Sequence, residues 1–157
     1  MKYTLPTSIF IAIAALIVLI DQITKYCIKV MIPLGISVPI IPKGLYFSHA
    51  TNTGASFSLF TSYSFILGLI AGAVIAGIIV FYNKIETSYR FPVALILGGT
   101  IGNLIDRILL GHVTDFIDIR IWPIFNIADS AITIAAILLV YIVWQEEKQE
   151  KLQSNEE

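Results

Sequence analysis

Residues 125–144 read FNIADSAITIAAILLVYIVW, and from Ala131 onward this is an apolar run of the kind that lipid buries. A carboxylate, Asp129, nevertheless stands about one helical turn inside its leading edge. The run decides the solvent in which the chain must be read, and the acid raises the question of what the run is for. A hydrocarbon core roughly 30 Å thick is crossed by about 20 helical residues at about 1.5 Å each. Working back from 124–144, three more stretches have that length with few charges: Thr7–Val30, which opens with the unbroken apolar block Ile9–Ile20; Tyr63–Tyr82, which has no charge; and Phe91–Leu110. The composition agrees. Of 157 residues, 57% are apolar and 13% charged, the latter against about a quarter in ordinary soluble chains, and the mean hydropathy is +0.84.

The expected fold is therefore an all-α membrane protein, a single transmembrane domain over 1–157 with helices at about 7–30, 63–82, 91–110 and 124–144. Connections fall at 31–62 and 111–123, and a tail at 145–157. Lys2 followed by an apolar block is compatible with a cleavable signal. The block runs into Asp21, Gln22 and Lys25 without a small-residue cleavage site, however, so it is read as a retained helix. Within 31–62, Ile36, Val38 and Ile40 alternate, as do Leu45 and Phe47, and Pro39, Pro42 and Gly44 interrupt them. Short strands forming a small β element between helices 1 and 2 are expected there.

The single cysteine, Cys27, allows no internal disulfide and is expected to be a buried small residue. A net charge of −1 sets aside a nucleic-acid partner. The closing stretch QEEKQEKLQSNEE reads as a solvated helix end, with Glu147 and Lys151 spaced as an i,i+4 pair.

Four spans put both termini on one side and the two longer connections on the other. The intramembrane charges gather toward the connections: Asp21 and Lys25 late in helix 1, Asn103, Asp106 and Arg107 late in helix 3, Asn126 and Asp129 early in helix 4. Residues three or four apart share a helix face, so each set forms a polar stripe. One stripe alone can be an interfacial helix end. Three at one end of the bundle imply groups that are paired, hydrated or in use, because a charge in lipid costs at least roughly 2.5 kcal/mol. Lys and Arg divide evenly between the two sides, so charge counting gives no orientation.

Few chemistries fit these residues. Cys27 has no evident activating base, and His49 and His112 lie on separate connections, too few and too isolated for a metal site. A Ser130–Lys25 pair is conceivable but leaves the acids unexplained. Two nearby carboxylates explain more: they resist simultaneous ionisation, so one can take a proton from water while the other gives one to a leaving amine. Asp129 is one candidate. Its partner is open among Asp21, Asp106, Asp115 and Asp118, the first two having the look of structural ion pairs through Lys25 and Arg107.

The set DQITK (21–25), NTGASF (52–57), GNLIDR (102–107), VTDFID (113–118) and FNIADS (125–130) resembles the lipoprotein signal peptidases, or signal peptidase II. The resemblance runs from helix 1 to helix 4, with the motifs in the family's order. It implies an intramembrane aspartyl endopeptidase of the bacterial plasma membrane that removes the signal peptide from diacylglyceryl-modified prolipoproteins, cutting before the lipidated cysteine. Both termini would be cytosolic, and the active site and the β element would lie at the outer face. Asp115 and Asp129 would be the catalytic pair. Asn52, Gly54, Asn103, Asp106, Arg107 and Asn126 would bind substrate or brace the site, with Asp21 and Lys25 supporting it from helix 1. No cofactor or metal is implied. The expected partners are the lipidated prolipoprotein and membrane lipid, the expected inhibitor is globomycin, and the enzyme is expected to be a monomer. The chain departs from the family pattern at Thr51, where members often carry a basic residue, and at Ser56, where an alanine is frequent. A small proton-coupled carrier would instead need polar groups across the bilayer's depth, and an assembly subunit would show no hydrolysis.

Overall fold

In lipid a helix satisfies its own backbone groups, and each apolar segment takes that form. The computed structural model describes residues 5–54 and 61–154. In chain order the elements are α1 (Thr7–Met31), β1 (Ser37–Ile41), β2 (Leu45–Asn52), α2 (Thr61–Phe81), α3 (Thr87–Leu110), β3 (Val113–Asp118) and α4 (Ile127–Ser154). Among the described residues, four helices are long and apolar enough to cross a membrane. Their outward faces carry side chains such as Ile11, Val80 and Val140, all exposed and suited to lipid.

The third helix is the centre of the bundle. In its most apolar stretch 44% of residues are buried, against 11–17% in the other three, and α1, α2 and α4 all pack on it. Two adjacent glycines permit the closest of these contacts. A Cβ on Gly98 would stand 2.7 Å from the Ala14 carbonyl of α1, and one on Gly99 would stand 2.6 Å from the Ala128 carbonyl of α4. Small residues at such positions let helix backbones approach where lipid supplies no hydrophobic drive.

Three boundaries differ from the expectation. The third helix begins a turn before Phe91, so Pro92 sits inside it. Its first turn is held from outside, by Arg90 Nη1 donating to the Leu5 carbonyl (3.0 Å), by the Arg90 guanidinium over the Tyr82 ring, and by the Tyr89 hydroxyl on Glu146. The fourth helix starts at Ile127 and not at Ile124, because Phe125 pairs back onto Ile117 of β3. At its other end it runs on to Ser154 through the charged tail.

The β element holds one strand more than expected. β1, β2 and β3 form an antiparallel sheet in that order, so the connection after α3 contributes a strand as well as the one after α1. Pro39, which has no N–H to donate, lies on the edge strand β1, where the pairing with β2 slips. The sheet sits at the end of the bundle where α1 and α3 finish and α4 starts. Cys27 is exposed, contrary to expectation. It lies along a groove between α1 and the sheet, with Met31, Val38 and Phe47.

Candidate active site

The site is assembled from the ends of three helices and one strand pair. On β2 and β3, Ala50 pairs with Asp115 and Asn52 with Val113, so Asn52 stands near Asp115. Its Nδ2 donates to Asp115 Oδ2 at 2.9 Å. The same side chain closes a turn, its Oδ1 accepting the Gly54 N–H at 2.8 Å, and Gly54 adopts the positive φ of 83° that this turn requires. Residues 55–57 of the NTGASF motif, Ser56 among them, lie outside the described residues. Thr51 is exposed on β2 opposite Thr114.

The start of α4 supplies the second acid. The Asn126 side chain accepts the Asp129 N–H at 2.9 Å, and the Asp129 carboxylate accepts the Asn126 N–H at 3.3 Å. This reciprocal pair is a capping box, with an aspartate in the place of the usual Glu or Gln. It gives Asp129 a local structural reason to stand one turn into an apolar helix, and it leaves the carboxylate at the positive end of the helix dipole. Asn126 also reaches sideways, its Nδ2 donating to Asp115 Oδ1 at 2.7 Å. A single fully buried asparagine therefore touches both Asp115 and Asp129.

Asn103 of α3 completes the frame. Its Nδ2 donates to Asp129 Oδ1 at 2.8 Å, while its Oδ1 accepts from Lys25 Nζ at 2.9 Å and from Asn126 Nδ2 at 3.1 Å. With two donors on the oxygen, the amide can present only its N–H to Asp129. Lys25 is thus a positioning residue for Asn103 as well as an ion-pair partner. Its ammonium lies 2.8 Å from Asp21 and 3.3 Å from Asp106, all three side chains being essentially inaccessible.

Each of these two acids has a second task. Asp21 Oδ1 accepts the Ala128 N–H at the start of α4 (2.9 Å), and Asp106 Oδ2 accepts the Thr114 N–H of β3 (2.9 Å). Gln22, a residue the sequence reading passed over although it lies in the DQITK motif, ties Asp21, Asp106 and the Gly102 carbonyl together. The expectation that Asp106 pairs with its neighbour Arg107 is corrected: Asp106 turns to Lys25, and Arg107 makes no salt bridge among the described residues. Adjacent helical residues point about 100° apart, so they cannot readily share a partner. Arg107 lies within electrostatic reach of Asp129, Asp115 and Asp106.

Asp118, the remaining candidate partner, is three residues from Asp115 on β3 and so faces the other side of the strand. It accepts from the Ser48 hydroxyl and from the Arg120 N–H, both at 2.9 Å. That leaves Asp115 as the acid on the Asp129 side of the strand. Burial pushes the Asp115 carboxyl up to about 6. The hydrogen bond from Asn52 works against this, the Asp129 charge adds to it, and Asn126 and Lys25 oppose it.

Among the described residues no group of His, Cys, Asp and Glu has the arrangement of a metal site. The geometry offers two carboxylates joined through amide donors, beside an arginine, at one end of a membrane bundle. A family model described as "Signal peptidase (SPase) II" matches residues 13–145. The chain belongs to the signal peptidase II family. Membership implies a protease. The lipoprotein signal peptidase of Halothermothrix orenii is 36% identical over 138 residues, covering 87% of this chain and 95% of the relative. That of Thermodesulfovibrio yellowstonii is 43% identical over 131 residues, covering 80% and 88%. A solved structure of a bacterial membrane enzyme superposes with a TM-score of 0.85 at 31% identity, covering 95% of each chain. A second matches with a TM-score of 0.83 at 33% identity, covering 91% of this chain and 97% of that one.

Proposed function

We propose that this protein is an intramembrane aspartyl endopeptidase that removes the signal peptide from diacylglyceryl-modified prolipoproteins, cutting before the lipidated cysteine. The observation that carries the reading is the shared asparagine: Asn126 donates through its side chain to Asp115 and through its backbone to Asp129. Close acids cannot both be charged at little cost, so the pair holds one proton between them. The ionised carboxylate takes a proton from a water as that water attacks the scissile carbonyl, and the protonated one gives its proton to the departing amine. Asn52, Asn103 and Asn126 supply N–H donors to the two acids, and Arg107 lies within electrostatic reach of both. The raised value of Asp115 suits it to hold the shared proton near neutral pH.

The placement of polar groups supports hydrolysis over transport. Among the described residues, the buried polar side chains of α1 begin at Asp21 and those of α3 at Thr100, leaving the opposite halves of both helices without them. In this reading both termini face the cytosol and the acids lie near the outer face, where a lipid-anchored substrate can enter sideways from the bilayer. The enzyme acts as a monomer and is blocked by globomycin.

The test is to incubate the purified protein, in detergent or bilayer, with a precursor carrying diacylglycerol on its cysteine and with the same precursor unmodified. Cleavage before the modified cysteine alone, abolished by globomycin, is the expected result. Equal processing of both precursors, or of neither, would overturn it.

A further inference from the structure

One groove is not used by the site as described. It lies between α2 and α3, has a volume of about 760 Å³, and is lined by Ser64, Gly68, Gly72 and Ala76 on α2 and by Leu104 and Arg107 on α3. These four small residues of α2 recur every fourth position, a spacing that lets another helix come close in a membrane. Only part of that ladder is taken up by α3. A Cβ on Gly68 would meet Leu104 at 3.8 Å, whereas one on Gly72 would meet no described atom within 4 Å.

The upper end of the groove has a different chemistry. The Ser64 hydroxyl is buried, the residue being only 5% exposed, and has no hydrogen-bond partner among the described residues. The Arg107 Nε–H is likewise buried and unpartnered among them. A buried donor without a partner is costly, and the two call for an acceptor that reaches them from within the groove. An aliphatic chain offers none. A peptide does, at the end of a helix, where its last carbonyls are unsatisfied. Arg107, which lines this end of the groove, is also within electrostatic reach of Asp115 and Asp129.

We propose that this groove is the track for the apolar helix of the substrate's signal peptide, which packs on Gly72 and Ala76 and offers its C-terminal carbonyls to Ser64 and Arg107. The inference rests on the functional reading above and names the surface that holds the leaving half of the substrate. The dimensions agree. From Ser64 to Ala76 is roughly 12 helical residues, or about 18 Å, and the apolar segment of a signal peptide is about 7–15 residues long.

The test uses the full-length enzyme and a diacylglyceryl-modified precursor. Gly72→Leu and Ala76→Leu should each raise KM by about tenfold with kcat within about twofold, the size expected when a few methylenes are forced into an apolar contact. Gly77→Leu, on the same helix but outside the groove, should change neither. Separately, a photoreactive benzoyl-phenylalanine at position 72 in an Asp129→Asn background should cross-link to the apolar segment of the precursor. Unaltered KM in both groove variants, or cross-links only to lipid or to a second copy of the enzyme, would overturn the inference while leaving the cleavage assay intact. Failure of the unsubstituted enzyme to cleave would sink the function itself, and the inference with it.

Discussion

Asp21 and Asp106 face an ammonium, whereas Asp115 and Asp129 face amides and a helix N-terminus; the two pairs occupy the same end of the same bundle. Lys25 holds the first pair at 2.8 and 3.3 Å with no access to water. Asn52, Asn103 and Asn126 hold the second, and Asp129 is only half-buried. In the first pair one buried cation satisfies both acids, and each acid also accepts a backbone N–H, of Ala128 or Thr114. The second pair makes no salt bridge among the described residues and is oriented by asparagine side chains and the start of α4. In the proposed mechanism the first pair is therefore structural and the second chemical, although both are aspartates beside helix ends.

The sharpest way to break the comparison is to remove one carboxylate from the second pair. Asp115→Asn and Asp129→Asn should each lower kcat for a diacylglyceryl-modified precursor by at least roughly a thousandfold, while helix content by circular dichroism and the elution profile in detergent stay as in the wild type. Asparagine keeps an acceptor for the surrounding amides, so the frame survives. Substantial turnover by either variant would take that residue out of the pair.

Next comes the first pair. Lys25→Met should destabilise the protein by about 3–5 kcal/mol, because two carboxylates are left buried without their cation. Thermal unfolding in detergent measures this. Adding Asp21→Asn and Asp106→Asn to the same variant should restore most of the stability, as asparagine oxygens still accept the Ala128 and Thr114 N–H groups. If the triple variant is no more stable than the single one, charge compensation is not what Lys25 supplies.

How far these pairs could be told apart in the sequence follows from the same geometry. The helices were legible because lipid imposes a length and a composition, and the three polar stripes were legible because helical spacing is fixed. The Lys25–Asp21 pair is an i,i+4 pattern and could be read directly. Lys25–Asp106 could not, because it joins two helices whose register depends on the Gly98 approach. β3 was missed for a different reason. Both faces of VTDFID are covered, Val113, Thr114, Asp115 and Phe116 all being buried, so it lacks the alternation that marks a half-exposed strand. Without that strand, nothing local could choose Asp115 over Asp118, and only the resemblance did. The capping box at Asn126 and Asp129 was open to reading as a spacing of three. Cys27 was misjudged because a small apolar side chain near a lipid-facing groove has no reason to be covered.

A third prediction sharpens the contrast in protonation. Asp115 titrates near 6 in the folded protein, above the ordinary carboxylate value of 3.8. A raised folded value means that the native state binds the proton more tightly than the unfolded chain. Its contribution to stability is fully present below about pH 4 and is lost as the pH rises through about 6. The difference in unfolding free energy between wild type and Asp115→Asn should therefore shift against the wild type across that window. A flat difference from pH 4 to 7 would mean that the Asp115 carboxyl is not held in its neutral form by burial.

The smallest effect is expected at Asp118, which tests whether facing across the strand separates roles as cleanly as the comparison requires. Asp118 binds the Ser48 hydroxyl and the Arg120 N–H, and Arg120, at a positive φ of 66°, stacks its guanidinium over Tyr46. These contacts pin the turn after β3 to β2 without reaching Asp129. Asp118→Asn keeps one acceptor oxygen for Ser48 or Arg120, so kcat should fall by less than about tenfold, in line with the loss of one charge-assisted hydrogen bond of about 1.5 kcal/mol. Removing the ring beneath Arg120 with Tyr46→Ala should produce a loss of similar size. Complete inactivation of a well-folded Asp118→Asn protein would move the second acid to the other face of β3, and Asp115 would then belong with Asp21 and Asp106 among the structural carboxylates.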